Sequence, residues 1–426
     1  MRARISRSEL NGTVRIPGSK SHMIRALYFA SLGKGKSIIR NPVSSNDSLS
    51  AAGVVKAMGI EIEQSEKNVW TINGGELIVP KDVINVGNSG TSMSLGSALL
   101  ASIEGMSVVT GDEQIRRRPI QPVLDALTQM GASARTVLGN GSAPFILEGP
   151  LKGGIASVEA LNSQYVSAAL IAASLAERDS EIIVDNPNEI PYIEMTIQWM
   201  KRLGISIQHD DDFRRFFVKT GKKYQPFDTS IPADFSSAAF FLVGAAITDS
   251  HVVLEGLDIH DVQGDKVLID ILKDMGANIG IREDGSSGIV IKGGSKLKGL
   301  SVDCSFTPDS VPILAVLGCY SDGETRLYNI ESSRIKETDR PLIMKEELKK
   351  MGANLELKGS ELIIRNSKLN GAEVCSHNDH RIAMALCIAG LVAEGQTVID
   401  EVGCAGISYP GFDNALVSLG ANVEYS

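Results

Sequence analysis

The sequence predicts a two-domain α/β protein assembled from six copies of one unit, three in each domain, and three observations carry that prediction. Six times an amphipathic helical pattern ends in Met-Gly or Leu-Gly and runs into an alternating strand: Met58-Gly59, Met130-Gly131, Leu203-Gly204, Met275-Gly276, Met351-Gly352 and Leu419-Gly420. Successive glycines lie 72, 73, 72, 76 and 68 residues apart, a period that spans the whole chain. At 426 residues the chain exceeds the size at which a single core usually splits, so two domains of three repeats satisfy both constraints.

Within a repeat, the first element is a helix rich in small apolar residues that starts in a polar cluster, at residues 19–32, 88–101, 162–175, 234–247, 307–319 and 378–392. Stretches such as SAALIAASLA and SAAFFLVGAA are apolar on every face, so these helices belong inside a domain. A short strand follows, marked by Gly, Ser or Thr turn signals. Next comes the amphipathic helix, as in VLIDILKDM (267–275) or LIMKEELKKM (342–351). Its closing glycine has a local reason: a chain leaving a helix for a strand needs a residue that tolerates the left-handed conformation. A strand pair such as NIGIREDGSSGIVIKGG (278–294) completes the unit.

Only ANVEYS follows Gly420, so the sixth repeat lacks its last strand. RISRSELNG at 4–12 repeats the pattern of IIRNSKLNG at 363–371, and residues 1–17 are therefore expected to pair with the C-terminal strand. On this reading residues 18–227 form one domain, and residues 1–17 with 228–426 form a discontinuous second one. The chain crosses between them near Pro17-Gly18 and Phe227-Asp228.

A net charge of −9 with interspersed signs argues against nucleic acid or an anionic membrane as partner. Five cysteines, an odd number without C-x-x-C spacing, suit a reduced cytoplasmic protein with buried thiols. MRARISRSEL has no apolar core of a leader, and no apolar run approaches a membrane span.

The polar clusters at the heads of the buried helices carry the chemistry, because helix N-termini present N–H groups and partial positive charge to anions. Three such ends from each domain facing one cleft would make an anion trap. Gly18-Ser19-Lys20-Ser21 leads into a helix that carries Arg25, without Walker spacing. Gly87-Asn88-Ser89-Gly90-Thr91 and Arg116-Arg117-Arg118-Pro119 belong to the second repeat. Arg334 to Pro341 and His377-Asn378-Asp379-His380-Arg381 are the densest clusters. Solvated turns or capping boxes with local ion pairs are the bland reading of each. His380 and Arg381, however, run directly into IAMALCIAGLVA, where an unpaired charge is costly, and that favours a ligand. Metal binding by His377-x-x-His380 competes, but no other histidine shows a matching ligand motif, and no metal is expected.

Taken together, IPGSKSHMIRAL, GNSGT, RRRPIQPVLDAL, NSQ, TPDSVPILA, KETDR and NDHRIAM, in that order, resemble the 5-enolpyruvylshikimate-3-phosphate synthase family over essentially the whole chain. The resemblance implies an inside-out α/β barrel of six βαβαββ units, three per domain. It implies transfer of the enolpyruvyl group of phosphoenolpyruvate to the 5-hydroxyl of shikimate 3-phosphate by a cytoplasmic monomer without a cofactor. By the same resemblance Lys20, Ser21, Arg25, Ser163 and Lys336 would bind shikimate 3-phosphate, and Arg118, Arg340 and Arg381 would clamp phosphoenolpyruvate. Asn88, Gly90, Thr91, Asn162, Gln164 and Tyr192 would complete the binding set. Asp309 would hold and deprotonate the 5-hydroxyl and Glu337 would exchange a proton at C3 of phosphoenolpyruvate. Lys20 and His380 would stabilise or relay charge.

Four segments depart from the family pattern. Ser94 stands where an arginine is usual, Ile407 where a lysine is, Glu189-Ile190 where a serine and a basic residue precede Pro191-Tyr192, and Ser332 where an asparagine is. The expectation is weak phosphoenolpyruvate affinity, or recruitment of other cations such as Lys34 or Arg117. Two rivals remain at this level. A UDP-N-acetylglucosamine enolpyruvyl transferase would place a cysteine in the loop that here reads GDEQIRRR, and a non-catalytic anion-binding descendant would account for the departures.

Overall fold

The computed structural model describes residues 1–65, 68–282 and 288–426; the turn expected at the centre of the hairpin 278–294 lies outside the described residues. Among the described residues, six four-stranded sheets share one wiring. In the third repeat, Ile155–Glu159 runs parallel to Ser180–Asp185, which pairs antiparallel with Arg215–Val218, which pairs antiparallel with Ile207–His209. Buried and exposed residues alternate along Ile155–Glu159, so one face packs inward and the other meets solvent.

The helical readings become two classes of helix. Lys20–Leu32, Gly90–Ala101, Ser163–Leu175, Phe235–Ile247, Val311–Tyr320 and His380–Gly390 are buried almost throughout and pack on their neighbours at the centre of each unit. Four of the six open on a polar cap: Ser89, Asn162, Asp234 and Asp379 each accept a hydrogen bond from a first-turn N–H. Ser19 and Ser310 make no such side-chain cap, which leaves first-turn N–H groups of those two helices uncovered by their own N-cap.

All six Met-Gly and Leu-Gly pairs end in one hydrogen-bonded motif. The glycines have φ between 85° and 98°. The following residues, Ile60, Ala132, Ile205, Ala277, Ala353 and Ala421, each donate an N–H to the carbonyl five residues earlier. That is the Schellman closure, in which a left-handed residue turns the chain out of the helix and the next N–H satisfies an orphan carbonyl.

Two compact units result, Gly18–Ile231 and Met1–Pro17 with Pro232–Ser426. The second crossing therefore falls four residues beyond the expected Phe227-Asp228. Asp228–Ser230 pairs parallel with Gly35–Arg40 and supplies the first strand of the first repeat. The N-terminal expectation needs a larger correction. Ala3–Ser6 lies between Gln396–Asp400 and Asn422–Tyr425, antiparallel to both, and completes the sixth sheet. Asn11–Arg15 instead pairs parallel with His251–Glu255 and opens the fourth. The handover is pinned by Ser8 N donating to the Leu391 carbonyl at 3.1 Å and Leu10 N donating to Ser250 Oγ at 2.7 Å. At the far edge, Arg2 and Ser426 exchange backbone hydrogen bonds of 2.7 and 3.0 Å.

All five cysteines are free; Cys304, Cys319 and Cys387 are buried, and burial pushes the Cys319 thiol up to about 12. Cys375 and Cys404 are only partly buried, against the expectation for the set. No helix among the described residues is long and apolar enough to cross a membrane.

Candidate functional site

In the unit Gly18–Ile231, three helix heads hold the expected residues. Lys20 opens its helix and pairs with Asp47 at 3.0 Å, both side chains largely buried. Asp47 is placed in the first turn of Asn46–Ala57 by the Ser45 cap, whose Oγ accepts from Ser48 N. Arg25, one turn beyond Ser21, is buried and donates to the Ser21 and Tyr192 carbonyls at 3.0 Å and to Thr196 Oγ1 at 2.8 Å. A longer contact of 3.4 Å reaches Ser167 Oγ. Every one of these acceptors is neutral. Burial without a carboxylate lowers its pKa to about 10, and Tyr192 only partly offsets that.

The second and third heads meet around Gly90. A Cβ there would lie 2.8 Å from Arg118 Nη1 and 3.4 Å from Gln164 Oε1, so glycine makes room for the guanidinium. Arg118 donates to Asn88 Oδ1 at 3.2 Å, and Asn88 in turn donates to Gln114. Thr91 is buried in the first turn of the same helix. The Tyr165 hydroxyl donates to the Pro119 carbonyl at 2.6 Å and ties the third helix to the arginine loop. Asn162 Oδ1 takes Gln164 N at 3.0 Å. Ser163 gives both its N–H and its hydroxyl to Glu189 Oε2, at 3.1 and 2.6 Å.

In the other unit the focus is Arg340, whose side chain is 1 % exposed. Its Nε donates to Asp379 at 2.9 Å, its Nη1 to Asp309 at 2.7 Å and its Nη2 to Glu337. Burial alone would lower its pKa, but Asp379, Glu337 and Asp309 together raise it above the ordinary arginine value. Asp379 also caps its helix by accepting from Arg381 N at 2.9 Å and receives the Thr338 hydroxyl at 3.0 Å. His380 is buried at the first helical position, and Lys336 is partly exposed one residue before Glu337.

Arg381 differs from Arg340. It is 1 % exposed, its Nη2 lies 3.6 Å from Asp309 Oδ2, and its guanidinium sits 5.8 Å from the Phe240 ring centroid. Its Nε and Nη1 are buried and meet no hydrogen-bond acceptor among the described residues.

The histidine pair considered for a metal does not converge, because His377 turns away to Glu347 at 3.0 Å while His380 enters the core. Glu337, Asp379 and His380 bring ligand atoms within 4.8 Å of one another and are the residues that could hold a cation. Both carboxylates already bind Arg340, so an added cation would compete with a guanidinium.

Arg340 gives all three of its nitrogens to carboxylates and keeps one further N–H on each terminal nitrogen for a ligand. Lys34 is exposed just past the C-terminus of Lys20–Leu32, the opposite end of that helix from Lys20. Arg117 is an exposed surface partner of Glu113. Neither replaces a cation at positions 94 or 407. Ser94 is buried with no partner for its hydroxyl among the described residues, and Ile407 ends the turn Val402–Ile407. Asp47 and Asp379 escaped sequence reasoning. Acids in first helical turns and N-caps are commonplace, and the one available signal was a buried-looking helix or a lysine that each had to serve.

Comparison with known proteins points one way. The EPSP synthase family (3-phosphoshikimate 1-carboxyvinyltransferase) matches residues 5–416. A 3-phosphoshikimate 1-carboxyvinyltransferase of Acetivibrio thermocellus is 46% identical over 425 residues, covering 100% of this chain and 99% of the relative. One from Ruminiclostridium cellulolyticum is 44% identical over 423 residues, covering 99% of each. A 2.37 Å structure of EPSP synthase from Acinetobacter baumannii has a TM-score of 0.84 at 30% identity, covering 100% of this chain and 99% of that one.

Proposed function

The chain belongs to the EPSP synthase family, and on that premise we propose how its residues divide the family's reaction, transfer of the enolpyruvyl group of phosphoenolpyruvate to the 5-hydroxyl of shikimate 3-phosphate. The observation that carries the assignment is a pair of buried guanidiniums that the protein satisfies only in part. Arg25 has only neutral acceptors, and Arg381 keeps two buried nitrogens without one. Buried cations of this kind call for an anionic ligand. Arg25, with Lys20, Ser21, Ser163 and Tyr192, takes shikimate 3-phosphate, to which Lys336 adds a cation. Arg381 takes phosphoenolpyruvate, with Arg118, Asn88, Gly90, Thr91, Asn162 and Gln164 completing the binding set. Bidentate guanidinium bonds suit its carboxylate and phosphate.

The step is an addition followed by an elimination. Asp309 accepts the 5-hydroxyl proton while Glu337 delivers a proton to C3, and the substrate oxygen bonds to C2. Glu337, protonated before the addition, takes that proton back from C3 as the C2–O bond to phosphate breaks, and the proton held by Asp309 passes to the departing phosphate. Arg340 holds both carboxylates in place, through 2.7 Å to Asp309 and its contact with Glu337. Lys20 and His380 stabilise the charge that moves between them. The free thiols support action in a reducing cytoplasm.

Phosphate release from phosphoenolpyruvate, measured with shikimate 3-phosphate and separately with UDP-N-acetylglucosamine, tests the reading. Turnover is expected with the first acceptor alone and is expected to fall by about 10²-fold or more in Glu337→Gln, the usual worth of a positioned acid-base group. No turnover with either acceptor overturns it.

A further inference from the structure

We propose that Glu189 is an internal substitute for the substrate's phosphate, seated on the donors of Ser163 so that shikimate 3-phosphate binds only by displacing it. The inference rests on the assignment of Ser163 to that substrate. Glu189 is 3 % exposed and precedes Ile190–Arg202 as its N-cap, yet its side chain makes no cap for that helix. It reaches instead to the head of Ser163–Leu175. One carboxylate oxygen there accepts the first-turn N–H at 3.1 Å and the hydroxyl at 2.6 Å. A backbone N–H and a serine hydroxyl at a helix head are the donors that a phosphate oxygen seeks.

The fold asks for an acceptor at this place, but not for a charge. In the fourth repeat the residue returning from the equivalent loop is Gln263, whose neutral Oε1 accepts Phe235 N at 3.0 Å and whose amide donates to the Ala233 carbonyl at 2.9 Å. A neutral amide therefore closes the same junction. At Glu189 a carboxyl group does so, in a left-handed backbone conformation with φ 52° that a non-glycine residue adopts only when its surroundings hold it. Its neighbour Tyr192 gives its carbonyl to Arg25, so the segment that must yield to the phosphate also orients the buried guanidinium. Glu189 thereby sets how much affinity the phosphate group adds.

Calorimetric titration of the whole chain and of Glu189→Gln and Glu189→Ser, with shikimate 3-phosphate and with unphosphorylated shikimate, distinguishes this from a structural role. The dissociation constant for shikimate 3-phosphate is expected to fall by about tenfold or more in both variants, the scale of a charge-assisted contact, while that for shikimate stays within about twofold. A shikimate 3-phosphate affinity that is unchanged or weaker in Glu189→Gln overturns the proposal. That variant keeps the acceptor in the manner of Gln263, and carries the test alone if Glu189→Ser lowers the unfolding temperature. An equal gain for both ligands also overturns it, because a general loosening would not discriminate. Ser163→Ala separates the two levels: if it leaves shikimate 3-phosphate binding intact, the underlying site assignment fails whatever Glu189 does.

Discussion

At the scale of single residues, the candidate site is built from carboxylates that hold cations as much as from the cations themselves. Asp379 shows this most plainly. It is fully buried and joins the Arg340 guanidinium, the Thr338 hydroxyl and the head of His380–Gly390. Removing one partner from such a buried network leaves an uncompensated charge, which typically costs about 3–5 kcal/mol. Asp379→Asn is expected to lower unfolding free energy in that range, as read by urea titration, and to reduce kcat by releasing Arg340 from its fixed position beneath Asp309 and Glu337. Stability within about 0.5 kcal/mol of the parent, the level of an ordinary surface change, contradicts this. The cations were legible in the sequence because Lys20, Arg340 and Arg381 stand at helix heads, where positive charge has no local use. Their partners were not, since an aspartate at an N-cap or in a first turn has an ordinary local explanation that hides any other.

Among elements, the six Schellman closures are the most legible part of the fold. Left-handed φ and a helical stripe are both local properties, so Gly59, Gly131, Gly204, Gly276, Gly352 and Gly420 announce themselves without knowledge of what each helix packs against. Gly204 isolates the conformational term, since a Cβ there would meet nothing within 4 Å. Gly204→Ala is therefore expected to destabilise the chain by about 1–2 kcal/mol, the cost of left-handed geometry for an L-residue, with Michaelis constants unchanged. A neutral result in chemical unfolding would show that the helix end relaxes to another closure. Strand partners were less legible. Asn11–Arg15 pairs with His251–Glu255 some 240 positions away, and nothing in an alternating strand names its neighbour.

For the whole molecule, the repeats close on themselves only by exchange of strands. Asp228–Ser230 returns to the first repeat, Asn11–Arg15 opens the fourth and Ala3–Ser6 fills the sixth. Ala3 and Ile5 are fully buried, and Ile5 lies against Gly390 of the buried helix His380–Gly390. Deleting residues 1–8 removes the middle partner between Gln396–Asp400 and Asn422–Tyr425. Loss of cooperative thermal unfolding in the unit Pro232–Ser426 is the expected result, followed by calorimetry. An unfolding midpoint equal to that of the full chain contradicts it.

The place of Ala3–Ser6 also dictates a timetable for the ribosome. That strand emerges well before both its neighbours, which are translated on the order of 400 residues later, a delay of tens of seconds at about 5–20 residues per second. Gly18–Ile231, by contrast, holds every strand of its three sheets and can close as soon as Asp228–Ser230 is made. For that interval the nascent chain trails a strand with two open edges, the kind of template that recruits other chains. Arg2, Arg4 and Arg7 line it, all exposed in the finished protein. Their charge guards the strand during its wait.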